Sequence, residues 1–297
     1  MSNEYWFGVR KWLLDWINQY QPESDRKKHY ELTNSVMAWQ LNAMYETRLE
    51  LVAEAMKSAP LARQQFEKEL REKKLSADVD VLLNRNISKM AVSTHLIKSH
   101  IVISTNGEEL RIYRNKRINW LIKKYGATKT IEMVIRYQAL QLQKGKSSFQ
   151  WAYSYPVPKG RGVIEAFASP LNVDNVEGHK TGQITRPYCS AFEEDKAFGS
   201  LGSFFKLTSE QYAKYAQWYI NPPFTEMILH AAASTALLSL KSFIFVMPRW
   251  TDSKAYELLS NAECTEEILK KNTHFYTDDQ REIEARFDSS VFECKGK

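Results

Sequence analysis

Apolar residues recur along the first half of this chain at the spacing of amphipathic helices. Up to about residue 145 they return every three or four positions, which predicts helices over 4–20 and 25–58 and a further one from Pro60. The pattern continues over 87–103 to a predicted turn at Asn106-Gly107. Two more helices are predicted over 116–125 and 128–143. We therefore expect an all-helical domain over residues 1–145.

The second half changes to short, nearly continuous apolar runs. The strings VIEAFA, PYCS, QWYI and SFIFVMP predict buried strands, and TEMILHAAASTALLSL predicts a helix between the last two. Strand–helix–strand alternation is typical of a mostly parallel sheet. The tail, EIEARFDSSVFECKGK, predicts a terminal strand or hairpin. The expected fold class is α/β, with a catalytic domain over 146–297.

Composition narrows the class of protein. The chain of 297 residues is 43% hydrophobic and 26% charged, as in water-soluble globular proteins. It shows no secretory signal near its start, and Lys241 interrupts its longest apolar tract, so a membrane span is not expected. Three cysteines without metal-ligand spacing predict reduced thiols, and hence an intracellular protein of the nucleus or cytoplasm.

Positive charge is concentrated in one stretch. Residues 108–146 hold ten Lys or Arg and three Glu, whereas the whole chain has a net charge of +6. Because aromatic residues are interleaved with these cations, the stretch suits a surface that follows phosphates and stacks on bases. The alternative is a solvated helix face. The candidate nucleic-acid-binding residues are Arg111, Arg114, Arg117, Lys123, Lys124 and Arg136.

Two segments follow predicted strands in a way that suits a nucleoside cofactor. Ligands of parallel sheets bind beyond the carboxyl ends of strands. Glu165 lies in the run that precedes FASPLN, and Asp195 follows the next run within EEDKAFGSLGSFF. A carboxylate there accepts hydrogen bonds from ribose hydroxyls, and Phe198 is an apolar partner for adenine. Taken alone, the first segment is better explained by an ordinary turn from strand to loop, and a turn with core phenylalanines explains the second nearly as well.

The string YINPPFTE raises a sharper question, because two prolines follow a strand where a turn would more often use Gly or Asp. Pro222 and Pro223 make the backbone rigid, and the residue before a proline is held extended. The Asn221 side-chain oxygen and the Pro222 carbonyl are then two fixed acceptors for the hydrogens of an adenine N6 amine. Phe224 would stack on the base.

Together these strings resemble a known family. The motif (D/N)PP(Y/F) marks amino-group methyltransferases that use S-adenosylmethionine. The ordered strings FASPLN, YCSAF, FGS and NPPF resemble the cap-specific adenosine N6-methyltransferases, whose animal member is the phosphorylated-CTD-interacting factor. The segments RYQAL and SFQWAYS resemble that family more loosely, and the similarity covers about residues 110 to 250.

The resemblance implies a class I Rossmann-like core and methylation of the 2′-O-methyladenosine beside the m7G cap of mRNA. It also implies that a helical domain helps to form the RNA groove. By position, the adenine site is Asn221, Pro222, Pro223 and Phe224. The residues implied around S-adenosylmethionine are Glu165, Ala166, Phe167, Ser169, Asp195, Phe198 and Gln150.

Some features depart from that family or suggest no chemistry. Arg249 stands where the animal proteins have an acid, and no WW domain is expected before the core, so recruitment to RNA polymerase through one is not expected. His95, His100 and His230 lack ligand-like partners, so no metal is expected. A DNA adenine methyltransferase and a non-catalytic RNA-binding protein remain as alternatives, and the oligomeric state is undetermined.

Overall fold

The computed structural model describes residues 14–15, 17–18, 33, 37, 93–97, 99–105, 108–139, 162–173, 182–277 and 282–295. The chain forms two compact units. Unit 1 comprises residues Met1–Arg114 and Ile122–Phe149, and unit 2 comprises Asn115–Leu121 and Gln150–Lys297. The predicted boundary at residue 145 lies outside the described residues, as do nearly all of the helices predicted before residue 87.

Unit 1 contains an antiparallel sheet where helix was expected. Its strands are β1 (Ser93–Leu96), β2 (His100–Thr105) and β3 (Glu108–Tyr113), in the order β1-β2-β3. The helical prediction for 93–103 is therefore wrong. A run such as Ile101–Ile103 satisfies a helical pattern too, but its β-branched side chains favour a pleated surface. Thr105 pairs with Glu108, and the turn predicted at Asn106-Gly107 lies outside the described residues.

Two helices follow the small sheet. Helix α1 spans Lys116–Tyr125, as predicted, and α2 spans Ala127–Ala139, which begins one residue before the predicted start. The predicted end at residue 143 lies outside the described residues. The first half of α1 groups with unit 2 and its second half with unit 1. In α2 every side chain from Thr130 to Gln138 except Glu132 is buried, so this helix is a core element.

Unit 2 is built on a six-stranded mixed sheet. Its strands are β4 (Val163–Ala168), β5 (Tyr188–Ser190), β6 (Gln217–Ile220), β7 (Ser242–Pro248), β8 (Cys264–Leu269) and β11 (Ser289–Lys295). Their order is β5-β4-β6-β7-β11-β8. The first four are parallel, as predicted, and β11 pairs antiparallel with β7 and β8. All six residues of β4 are buried, which explains its continuous apolar run.

Short elements connect these strands. They are a 3₁₀ helix at Glu193–Phe198, a second at Phe204–Lys206, α3 (Ser209–Ala213), α4 (Glu226–Ser239) and α5 (Lys254–Ser260). A separate antiparallel pair joins β9 (Phe275–Thr277) to β10 (Glu282–Glu284). An aromatic cluster around Phe204 packs Phe167, Phe205, Tyr212 and Trp218 at ring-centroid distances of 5.4 to 5.6 Å.

The prediction of three reduced thiols is wrong for two of the cysteines. Cys264 and Cys294 are directly opposite on β8 and β11 and form a disulfide. Their sequence separation of 30 residues gave no sign of this pairing, because strand register determines it. Cys189 is free and buried, and burial raises the pKa of its thiol. The intracellular location was inferred from three reduced thiols, and the disulfide removes that support.

No helix in the described part of the chain combines the length and apolar character that crossing a bilayer requires.

Candidate functional site

The predicted adenine and cofactor residues that the structure describes lie in β4 or in the segments that follow β4, β5 and β6. Because β4, β5 and β6 are parallel, their carboxyl ends share one edge of the sheet, where ligands of such sheets bind. Glu165 of β4 pairs in register with a residue on each neighbouring strand, Tyr188 of β5 and Tyr219 of β6. Two of the loops that leave this edge begin at Ser169 and Asn221, both of which were predicted from the sequence.

The segment Asn221–Phe224 is held between a strand and a helix. It follows β6 directly, and Thr225 caps α4 by accepting a hydrogen bond from the Ile228 backbone N–H at 3.3 Å. The Thr225 N–H also donates to the Pro223 carbonyl at 2.8 Å. Asn221 is 4% exposed, both prolines are buried and Phe224 is half-buried. The backbone of the Asn221–Phe224 segment is therefore constrained by β6 on one side and by α4 on the other.

Phe224 meets an aromatic residue that the sequence analysis did not single out. Its ring lies edge to face with Phe287, with centroids 6.0 Å apart and planes at 89°. Phe287 precedes β11, far along the chain from β6, so only the sheet topology brings the two rings together. A partner of this kind limits the orientations that the Phe224 ring can adopt.

The loop after β4 is a closed polar turn. The Asn172 side-chain oxygen accepts from both the backbone N–H and the hydroxyl of Ser169, at 2.7 and 2.8 Å. The Val173 N–H donates back to the Ser169 carbonyl at 3.0 Å. Ser and Asn favour such local turns because their short side chains reach the nearby backbone. The string ASPLN therefore has a clear local structural explanation.

The predicted cofactor residues are almost all buried. Glu165 is 4% exposed and lies within β4, three residues before its end, while Ala166 and Phe167 follow it in the same strand. The Phe167 ring belongs to the aromatic cluster around Phe204. Gln150 lies outside the described residues.

The second acidic segment forms a compact 3₁₀ helix after β5. Asp195 is fully buried, and its carbonyl accepts from the Ser200 N–H at 3.2 Å. Phe198 is 2% exposed, so its ring is part of the core and not an open stacking face. The backbone carbonyl of Phe198 accepts a hydrogen bond from the Tyr188 hydroxyl. Gly199 ends the helix at φ 94°, a conformation that favours glycine.

The structure divides the predicted nucleic-acid-binding residues into buried and accessible groups. Arg117 and Arg136 are 8% and 6% exposed, and Arg117 donates to the Pro170 and Val173 carbonyls at 3.0 and 2.7 Å. Both side chains are buried, and their assignment to a nucleic-acid surface stays a prediction. The sequence pattern marked both as cations in a basic stretch and gave no sign of their burial.

The other four cations remain accessible to different degrees. Lys123 and Lys124 are exposed in the last turn of α1. Arg111 forms an ion pair with Glu109 at 2.5 Å, and the partly buried Arg114 donates to the Ile97 carbonyl at 3.1 Å. The two lysines are thus the accessible cations of this set that α1 contributes.

Arg249, which departs from the acid expected there, is held in a polar cluster just after β7. It donates to the Tyr256 hydroxyl at 3.3 Å and pairs with Glu266 at 3.4 Å. The Tyr256 hydroxyl in turn donates to Glu266 at 3.0 Å. Desolvation and this carboxylate raise the pKa of the Tyr256 phenol. The cluster joins α5 to the sheet at the edge where β7 ends.

Among the described residues, no group of three or more His, Cys, Asp or Glu side chains is arranged to hold a metal ion. His95 and His100 lie on strands of unit 1, and His230 lies on α4. A buried fourth histidine, His274, lies 2.8 Å from the Lys270 carbonyl through Nδ1 and 2.9 Å from the Ser289 hydroxyl through Nε2. These contacts satisfy both of its ring nitrogens.

Comparison with known proteins bears on this geometry. The family model described as "Phosphorylated CTD interacting factor 1 WW domain" matches residues 112–279, more than half of the chain. The matched stretch includes six complete strands, β4 to β9, and the Asn221–Phe224 segment. No curated protein matches the chain. The expectation that no WW domain precedes the core concerns residues that lie mostly outside the described part.

Proposed function

The chain belongs to the phosphorylated CTD interacting factor family, and from this premise we propose that it is an S-adenosylmethionine-dependent methyltransferase of adenine N6 in RNA. Family membership connects it with modification or binding of RNA at the cap. The proposed substrate is the cap-adjacent adenosine, 2′-O-methylated or not. The observation that carries the proposal is the rigid Asn221–Phe224 segment at the carboxyl end of a central parallel strand.

The fold proposed for unit 2 is a class I, Rossmann-like methyltransferase core. Its support is the sheet itself, in which four parallel strands are extended by an antiparallel β11 between β7 and β8. The proposed adenine segment follows β6, which lies beside β4, the first strand of unit 2 along the chain. This places the two proposed ligand loops on neighbouring strands.

The residues near the edge fit a nucleoside cofactor chemically. Glu165 and Asp195 are carboxylates, more than nine-tenths buried, and carboxylates accept hydrogen bonds from ribose hydroxyls. Ser169 supplies a polar turn after β4, and Phe198 supplies an apolar wall near the end of β5. When bound, S-adenosylmethionine supplies an electrophilic methyl group on a sulfonium.

The chain's own part in the reaction is to position the amine. The Asn221 side-chain oxygen and the Pro222 carbonyl would accept the two N6 hydrogens and turn the nitrogen lone pair toward the methyl carbon. Phe224 would stack on the base, which must leave any helical stack to enter the site. Methylation would add to this nitrogen one carbon supplied by the cofactor, whose sulfur would be left as a neutral thioether. Because alkylation makes the amine acidic, its proton can pass to water without a general base.

Labelled S-adenosylmethionine tests this proposal against a matched substrate panel. The panel holds one RNA sequence with an m7G cap and a first adenosine, the same RNA with a first guanosine, its uncapped form, and the corresponding single-stranded DNA. We expect N6-methyladenosine in the capped adenosine RNA, detected after digestion to nucleosides, and none with the guanosine control. Preferred methylation of DNA would favour the DNA enzyme. RNA binding without methylation of any substrate would favour the non-catalytic alternative.

A further inference from the structure

Arg117, in the first turn of α1, is a buried cation that donates to two carbonyls of one loop. Its two terminal nitrogens donate separately to the Pro170 carbonyl at 3.0 Å and the Val173 carbonyl at 2.7 Å. The acceptors lie 53 and 56 residues away along the chain. Burying a guanidinium is costly unless its N–H groups are hydrogen-bonded, so this geometry indicates a dedicated contact and not an incidental one.

The loop that Arg117 holds is the turn after β4. Inside the turn, Ser169 and Asn172 bond to each other, and the Val173 N–H returns to the Ser169 carbonyl. The Pro170 and Val173 carbonyls of the same turn accept from outside it, from Arg117. Arg117 satisfies both with one planar, forked group, which a lysine ammonium cannot reproduce at two separated acceptors.

A second close contact involves the same turn of α1. Gly182 has φ +72°, and a Cβ added to it would lie 2.4 Å from the Lys116 carbonyl oxygen and 2.8 Å from the Arg117 nitrogen. Only glycine permits this approach. The chain leading into β5 therefore passes directly against the start of α1. Both contacts lie within unit 2, since residues 115–121 group with it.

We infer that Arg117 is a positioning residue of the methyl-transfer site, which acts by holding the Ser169–Val173 loop in the shape that receives S-adenosylmethionine. This inference rests on the proposed function. Under this inference, Arg117 contributes to the affinity for the cofactor instead of binding phosphates of RNA. Removing the two guanidinium hydrogen bonds should make the loop more mobile and weaken cofactor binding, whereas the affinity for RNA should not change.

Three variants test the inference in the full chain. Arg117→Met keeps an apolar stem and removes the donors, Arg117→Lys keeps the charge without the fork, and Lys116→Met is the matched control on the exposed side of the same turn. Calorimetry measures the affinity for S-adenosylhomocysteine, and kinetics give the KM of S-adenosylmethionine separately from that of RNA. Hydrogen exchange follows the amides of Asn172 and Val173 against those of β4.

We expect Arg117→Met to reduce kcat/KM for S-adenosylmethionine on the order of a hundredfold, as a small misplacement near the chemistry can. The kcat/KM of Arg117→Lys for S-adenosylmethionine should lie between that of Arg117→Met and that of the wild type. Exchange should become faster at Asn172 and Val173 while β4 stays protected, and RNA affinity should stay at the wild-type value. Lys116→Met should leave exchange and cofactor affinity unchanged.

Wild-type exchange and cofactor affinity in a folded Arg117→Met would overturn the inference, as would a loss of RNA affinity alone. If Arg117→Met does not fold, the same criteria apply to Arg117→Lys. Failure of the wild type itself to bind S-adenosylhomocysteine would contradict the proposed function, and the cofactor role of the loop with it. Hydrogen exchange would then report only whether Arg117 anchors the turn, so the two failures are distinguishable.

Discussion

At the scale of single residues, the chemistry proposed for this chain depends on rigidity more than on reactivity. Asn221 is an ordinary amide, but β6 ends immediately before it and two prolines follow it. Its side chain is almost completely buried, so its orientation is limited by packing. An acceptor that is already in place needs no reorganisation when the reacting nitrogen changes geometry.

Substitution of Asn221 tests that acceptor. Asn221→Ala should lower kcat by a factor of about 10²–10³, about 3 kcal/mol, because it removes one of two preorganised partners of the amine. Asn221→Asp is the matched variant, since a carboxylate oxygen can still accept, and it should keep measurable activity. Steady-state methylation of the best RNA substrate measures both. Activity of Asn221→Ala within a few-fold of wild type would exclude the proposed role.

Phe224 is expected to act on the base and not on the cofactor. Phe224→Ala should weaken RNA turnover by about 1–3 kcal/mol, the value of one base–aromatic stack, and leave S-adenosylhomocysteine affinity unchanged. Phe224→Tyr keeps the ring and should stay close to wild type. Phe287→Ala removes only the supporting ring and should cost less. Loss of cofactor affinity with intact RNA kinetics would contradict this assignment.

At the scale of elements, α1 carries cations in two different environments, one buried and one exposed, which its sequence does not distinguish. Its first turn holds the buried Arg117, and its last turn carries Lys123 and Lys124 on the surface. Cations near a helix carboxyl end are favourable, whereas a cation in the first turn opposes the helix dipole and needs a tertiary partner. The two groups of cations therefore have different physical explanations.

The exposed lysines provide the test for nucleic-acid binding. Changing Lys123, Lys124 and Lys129 together to Glu should flatten the log–log salt dependence of RNA binding by about two units, since each phosphate contact contributes about 0.7 for single strands. Fluorescence anisotropy at several salt concentrations measures the slope. The matched control reverses three exposed lysines near the amino ends of β6 and β7, Lys214, Lys241 and Lys295. Equal slopes in the two triple variants would place the RNA surface elsewhere.

At the scale of the whole molecule, long-range pairing determines which side chains are available. Strand β8 lies at the edge of the sheet and is joined to β11 by the Cys264–Cys294 disulfide. Cys189 lies in β5 with no exposed surface, and burial raises the pKa of its thiol, so the reactive thiolate is scarce near neutral pH. The three cysteines should therefore behave differently toward a thiol reagent.

Thiol titration with dithiobis(2-nitrobenzoic acid) at pH 8 tests this arrangement. The native protein should give no prompt reaction, the unfolded protein without reductant should give one thiol, and the reduced unfolded protein should give three. Cys189→Ala is the control and should give none when unfolded without reductant. Three thiols in the unreduced unfolded protein would show that the disulfide is not formed.

Much of unit 2 could be predicted because its signals are local. The runs VIEAFA, QWYI and SFIFVMP are strands, since a sheet buried on both faces requires unbroken apolar runs. The position of Asn221–Phe224 after a strand followed from the same pattern. The misassigned stretch 93–103 shows the limit of that signal, because a short apolar run has no unique period and only the pairing of β1 with β2 makes it sheet.

The sequence by itself therefore determined the four parallel strands of unit 2 and α4, the chemistry available in NPPF and the family to which the chain belongs. Only the tertiary structure decided which side chains are accessible or paired: Arg117 in a loop contact, Phe287 beside Phe224, and Cys264 opposite Cys294. The physical reason is that backbone preference and apolar periodicity act over a few residues. Burial, ion pairing and strand register depend instead on partners tens of residues away.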